Sequence, residues 1–145
     1  MDTNQNTDCD YYIKELENEK KEKFYVFFVN KDIPLTDEIL QEMAKYEIVE
    51  FCNLFDQNVG VLPTRLQSLK FGNYFNQPVN NLPSRLQSLT LEWQFNQPID
   101  NLPSGLQSLT FGNEFNQLVD NLPLGLQSLT LDKNLINQWI FYQSD

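Results

Sequence analysis

Serine stands at 68, 88, 108 and 128, and two places after each comes Lys70, Thr90, Thr110 or Thr130. Hydroxyls in rows could attack an acyl group if a base took their proton, or could hydrogen-bond a surface laid across them. The base is missing. The chain has no histidine, which removes the commonest general base, the commonest metal ligand and every Ser-His-Asp or Cys-His arrangement. Cys9 and Cys52 are the only cysteines, and two thiolates alone do not make a zinc site. Carboxylates could act as acid and base if they converged, but along the repeated region they are scattered as Glu92, Asp100, Glu114, Asp120 and Asp132. Asp100 and Asp120 share their position with Asn80, so a turn role accounts for them. The expectation is no catalytic residue, no metal site and no cofactor.

One stretch breaks the rows. Gly72-Asn73 and Gly112-Asn113 flank Glu92-Trp93, and the place of Trp93 is polar elsewhere, as Asn73, Asn113 and Lys133. That place is therefore expected at the surface, where an exposed tryptophan among polar neighbours is a candidate hot spot. The competing reading lays its ring across Tyr74 or a neighbouring loop. The candidate partner-binding set is Ser68, Lys70, Ser88, Thr90, Glu92, Trp93, Ser108, Thr110, Ser128 and Thr130. Against it stands the reading that the hydroxyls only confer solubility and pair across strands. Arg65 and Arg85, one repeat apart, could hold an acidic ligand or lie as solvated stems over leucines.

The elements that must position these residues follow from the period of 20. The copies read LPTRLQSLKFGNYFNQPVNN, LPSRLQSLTLEWQFNQPIDN, LPSGLQSLTFGNEFNQLVDN and LPLGLQSLTL. A chain recurring at this period is a stack of similar coils, none of which can bury its leucines alone. The columns are Leu66, Leu86, Leu106 and Leu126; Leu69, Leu89, Leu109 and Leu129; Phe71, Leu91, Phe111 and Leu131; Phe55, Phe75, Phe95, Phe115 and Leu135; and Val59, Val79, Ile99 and Val119. Spacing of two between Leu109 and Phe111 is strand alternation, which predicts a short parallel strand over residues 107–111. The Leu-Pro step cannot extend a ladder, because proline has no donor. Asn76, Asn96 and Asn116, with Asp56 in register, read as a ladder bonding turn backbone, or as a polar recognition row.

The spacing of Leu106, Leu109 and Phe111, followed by Leu122-Pro123, resembles the leucine-rich repeat. Phe75-Asn76-Gln77-Pro78, Phe95-Asn96-Gln97-Pro98 and Phe115-Asn116-Gln117-Leu118 resemble the FNIP repeat, named for Phe-Asn-Ile-Pro, and the match covers residues 46 to about 138. The resemblance implies a leucine-rich-repeat-like solenoid acting as a non-enzymatic protein-interaction scaffold with a protein partner. Through family members that carry an F-box, it also implies a substrate-recognition part of a ubiquitin-ligase-type assembly; residues 1–45 show no Leu-Pro-x-Glu opening of an F-box. A passive surface for glycan or water is the further alternative for the hydroxyl rows.

The fold class expected is α+β, mainly β: a solenoid of 20-residue coils with parallel strands, an N-terminal strand-helix cap and a C-terminal aromatic cap. Residues 1–23 read as a disordered or solvated arm, with a short solvated helix over 11–23. Residues 24–45 read as the capping strand-helix unit, with Thr36 as helix N-cap and Ile39, Leu40 and Met43 as the apolar stripe. Residues 46–134 form the repeats. Residues 135–145, with Trp139, Phe141 and Tyr142, form the second cap or dock another copy, so monomer or weak end-to-end dimer is expected. Net charge of -10 argues against nucleic acid. The absence of a long apolar run argues against a membrane, and sparse cysteine with no leader pattern suggests a reducing, cytoplasmic setting.

Overall fold

The structure, a computed structural model, describes residues 10–131. Among the described residues, seven strands form one sheet in sequence order: β1 (Tyr11–Glu17), β2 (Lys23–Val29), β3 (Ile48–Phe51), β4 (Ser68–Phe71), β5 (Ser88–Leu91), β6 (Ser108–Phe111) and β7 (Ser128–Leu131). One helix, α1 (Asp37–Met43), connects β2 to β3. β1 pairs antiparallel with β2, and every later pair is parallel. From β4 onward the register is one repeat: Ser68 faces Ser88, Leu69 faces Leu89, and so on to Leu131. The chain is thus a mainly β solenoid of 20-residue coils.

Each coil is closed by two turns whose hydrogen bonds recur. The carbonyls of Pro63, Pro83, Pro103 and Pro123 accept from the amides of Leu66, Leu86, Leu106 and Leu126 at 3.0–3.3 Å. After the strand, the carbonyls of Cys52, Gly72 and Glu92 accept from Phe55, Phe75 and Phe95 at 3.2–3.3 Å. Between the turns the apolar columns point inward and are shared from coil to coil. Leu69, Leu89 and Leu109 are buried, as are Phe71, Leu91 and Phe111 and the run Phe55, Phe75, Phe95 and Phe115. The rings of that run follow one another at 6.1–6.2 Å, an offset stack of the kind aromatic quadrupoles favour. Leu129, on β7, pairs with Leu109 and is 39% exposed.

The asparagine column does bond turn backbone. The Asn76 side-chain oxygen accepts from the Asn96 amide at 2.9 Å and from Gln97 Nε2 at 3.1 Å; Asn96 does the same for Asn116 and Gln117. Asp56 serves Asn76 and Gln77, and Asp32 serves Asp56 and Gln57. Each rung satisfies one main-chain donor and one glutamine, so the second residue of Phe-Asn-Gln-Pro and the third work together.

Thr36 caps α1, its hydroxyl accepting from the Ile39 amide at 3.4 Å, and Ile39 and Met43 are buried beneath the helix. The short helix read over residues 11–23 is corrected: β1 forms a hairpin with β2. Its Glu and Lys residues read as a helix surface, and the pairing with β2, five residues further along, went unread. Tyr12 stacks on Phe28 with ring centroids 4.8 Å apart, Lys23 bridges Glu15 at 2.7 Å, and the Tyr25 hydroxyl donates to Glu15. Expectations for residues 1–9 and for the aromatic segment 135–145 lie outside the described residues.

Candidate interaction surface

The outer face of the sheet carries the predicted rows. Strand register places Tyr12, Phe28, Glu50, Lys70, Thr90, Thr110 and Thr130 in one line across it. Ile48, Ser68, Ser88, Ser108 and Ser128 form the neighbouring line. Along β4, β5 and β6 the side chains alternate part-exposed and buried, and both lines hold the part-exposed positions of these strands.

Lys70 and Glu92, the two residues that interrupt the hydroxyls, are partners. Lys70 Nζ lies 2.8 Å from Glu92 Oε1, reaching across one coil. The hydrogen bond to Glu92 holds the Lys70 ammonium pKa above the ordinary lysine value, with Glu50 adding to it, against a desolvation cost. Burial, then the Glu50 charge, raises the Tyr12 phenol. Glu92 thus holds the ammonium, and Glu50 stands opposite Lys70 on β3.

Trp93 follows β5 in the turn closed by the Glu92 carbonyl and the Phe95 amide. The central residues of a tight turn have no neighbour to pack on from within it, so their side chains face solvent. Trp93 is 53% exposed, as the polar residues at its position suggested, and Tyr74, central in the preceding turn, is 50% exposed. Asn73, Tyr74, Trp93 and Gln94 line a groove of about 270 Å³. A wider depression of about 490 Å³ continues over Thr90, Glu92, Trp93, Thr110 and Gly112. The predicted residues Thr90, Glu92, Trp93, Thr110 and Thr130 all border that depression, whereas the serine line does not.

The backbone beneath is close-set. A Cβ on Gly112 would lie 2.6 Å from the Glu92 carbonyl carbon and the Trp93 nitrogen, and one on Gly72 would lie 2.5 Å from Asn53 Cα. Only glycine permits that approach. Hydrogen bonds from the Tyr74 amide to Asn53, from Gln94 to Asn73 and from Glu114 to Trp93, at 2.9–3.0 Å, lock successive turns together. The Trp93 side chain is thus presented by a fixed main chain.

Arg65 is engaged by Glu47 at 3.4 Å, and Arg85, Asp100 and Asp120 are exposed on other parts of the coil. Among the described residues no group of three or more His, Cys, Asp or Glu could hold a metal ion. None of their helices is long and apolar enough to cross a membrane.

The repeat matches the family model of the FNIP Repeat three times, over residues 55–92, 78–114 and 95–134. The chain belongs to the FNIP repeat family. Its Asn and Gln rungs give that family's Phe-Asn-x-Pro tetrad a structural reason here: the asparagine bonds the next coil. Among solved structures, the FNIP chain is similar to one described as CroV588, a novel circular LRR protein, at 34% identity and a TM-score of 0.61. The similarity covers 68% of this chain and 15% of that one, so this FNIP chain spans a small part of the length of its structural relative. No curated protein sequence matches it.

Proposed function

We propose that the chain is a non-enzymatic scaffold that docks a protein partner on the outer strand face and the turn at Trp93. The observation that carries this reading is Trp93 itself: a large amphipathic ring, half-exposed, held on a hydrogen-bonded turn beside a groove. Aromatic anchors on rigid supports dominate interface energetics because little side-chain entropy is lost when they are covered. The FNIP repeat and the leucine-rich-repeat-like solenoid support the same reading, since stacked coils offer an extended face and little enclosed volume.

The test is affinity capture of partners by the full chain, with Trp93→Ala and Ser88→Asp/Thr90→Asp variants alongside. Capture should fall by about tenfold or more for Trp93→Ala, with a little-changed melting temperature because the half-exposed ring is not part of the buried core. Retention of the same partners at the same yield by every surface variant would argue that the face is not the site.

A further inference from the structure

The exposed apolar residues on this side of the solenoid are not scattered. Leu54 is 66% exposed, Tyr74 50% and Trp93 53%, and they occupy the corresponding turns of three successive coils. The amide of each later turn donates to the carbonyl of the one before, so these turns stack at the coil repeat. Single exposed apolar side chains need no explanation. Three on adjacent coils, with a groove of about 270 Å³ between two of them, make a continuous strip about 10 Å long at a coil spacing of ~4.8 Å. On the next coil the strip ends in Glu114, exposed and, among the described residues, outside every ion pair.

The charge on these coils is net negative. Glu50 on β3, Glu92 after β5 and Glu114 after β6 stand against one base on the same strands, Lys70, which Glu92 already holds at 2.8 Å. The whole chain carries -10. Such a field repels anionic lipid and nucleic acid and draws cationic groups. Leu54 has no polar atom to offer a sugar, so the strip as a unit suits an apolar side chain.

We propose that this rim takes a cationic peptide segment of a protein partner. One aromatic or large aliphatic side chain sits between Tyr74 and Trp93, and a lysine or arginine two residues along lies over Glu114. In an extended segment, residues i and i+2 share a face about 6.6 Å apart, which matches a step of one coil plus the reach of a side chain. The assignment rests on the scaffold reading above and narrows it to a partner chemistry.

The experiment selects random octapeptides displayed on phage against the full chain, then measures the selected peptides by fluorescence anisotropy. Enrichment of an aromatic or large aliphatic residue with Lys or Arg at i±2 is expected. Affinity should drop by about tenfold or more in Tyr74→Ser or Trp93→Ser. It should drop by about two- to fivefold in Glu114→Gln, and should weaken between about 0.05 and 0.5 M salt. Acidic or uncharged selected sequences, no enrichment over background, or affinities indifferent to Tyr74→Ser and Leu54→Ser would overturn the assignment. A partner protein lost on the Ser88/Thr90 substitutions but retained by Leu54→Ser, Tyr74→Ser and Glu114→Gln would remove the rim and leave the scaffold standing.

Discussion

Asp32 is the first acceptor of the turn ladder, and it differs from Asn76 and Asn96 in carrying a charge. Its carboxylate takes the Asp56 amide at 2.9 Å and Gln57 Nε2 at 3.0 Å. The backbone bond first, and the glutamine second, hold its pKa below the ordinary aspartate value. A carboxyl whose folded pKa is depressed contributes stability that is fully present above its unfolded value of about 3.9 and is lost as pH falls through the folded value. Asparagine at the same place keeps the accepting oxygen without the proton equilibrium, as the later rungs do. Wild type should therefore melt at or above the temperature of Asp32→Asn at about pH 6, and the order should narrow or reverse by about pH 2.5. Thermal melts of both proteins across that range provide the check. Parallel pH profiles would mean that Asp32 has no charge-dependent part in the first rung. The rung also shows why this residue was not visible in the chain as written. The later rungs are 20 residues apart, but Asp32 and Asp56 are separated by 24, because α1 replaces the short return of an ordinary coil.

At the scale of the element, the strand-following turn decides both packing and presentation. Gly112 lets its coil settle onto the main chain of Glu92 and Trp93, whereas Gly105 would place a Cβ 3.6 Å from Ser84 O, an ordinary contact. Gly112→Ala forces backbone apart and should cost about 1–3 kcal/mol. Gly105→Ala meets no obstacle and trims the unfolded chain's freedom, so it should be neutral or stabilise by up to about 1 kcal/mol. Urea denaturation of the pair decides the matter, and equal effects would refute the close approach. Strand and turn were legible in the sequence because a shared core keeps the same residue types in the same columns: Leu69, Leu89 and Leu109 must be buried, and Asn76 and Asn96 must bond the next coil. The hairpin strand β1 was not, since its partner β2 lies outside the period and its Glu and Lys residues read as helix surface. Leu54 was also passed over, and Tyr74 entered only as a surface for the Trp93 ring. Their column continues as Gln94 and Glu114. Variation there is what a solvent-facing turn allows, and a reading built on invariant columns gives it no weight.

For the whole molecule the question is whether the coils hold together as one body. Every inward column is shared: Leu89 pairs with Leu69 on one side and Leu109 on the other, and Phe95 stacks on Phe75 and Phe115. The turn ladder ties the same coils along a second line. A coil that loosened alone would expose the leucines of both neighbours, so opening should propagate. Leu89→Ala removes a fully buried side chain and should cost about 2–5 kcal/mol. If the stack is one cooperative unit, amide exchange in β3, β4, β5 and β6 should accelerate together, by a common factor of about 30 or more. Exchange that quickens only in β5 and its immediate contacts would instead describe coils that open singly. That outcome bears on binding as well, because a rim built from three successive turns can act as one surface only while those turns keep their spacing. The same measurement on Trp93→Ser should show no change in any strand, since the ring lies outside the columns. The pair of variants thus separates what holds the solenoid together from what it presents.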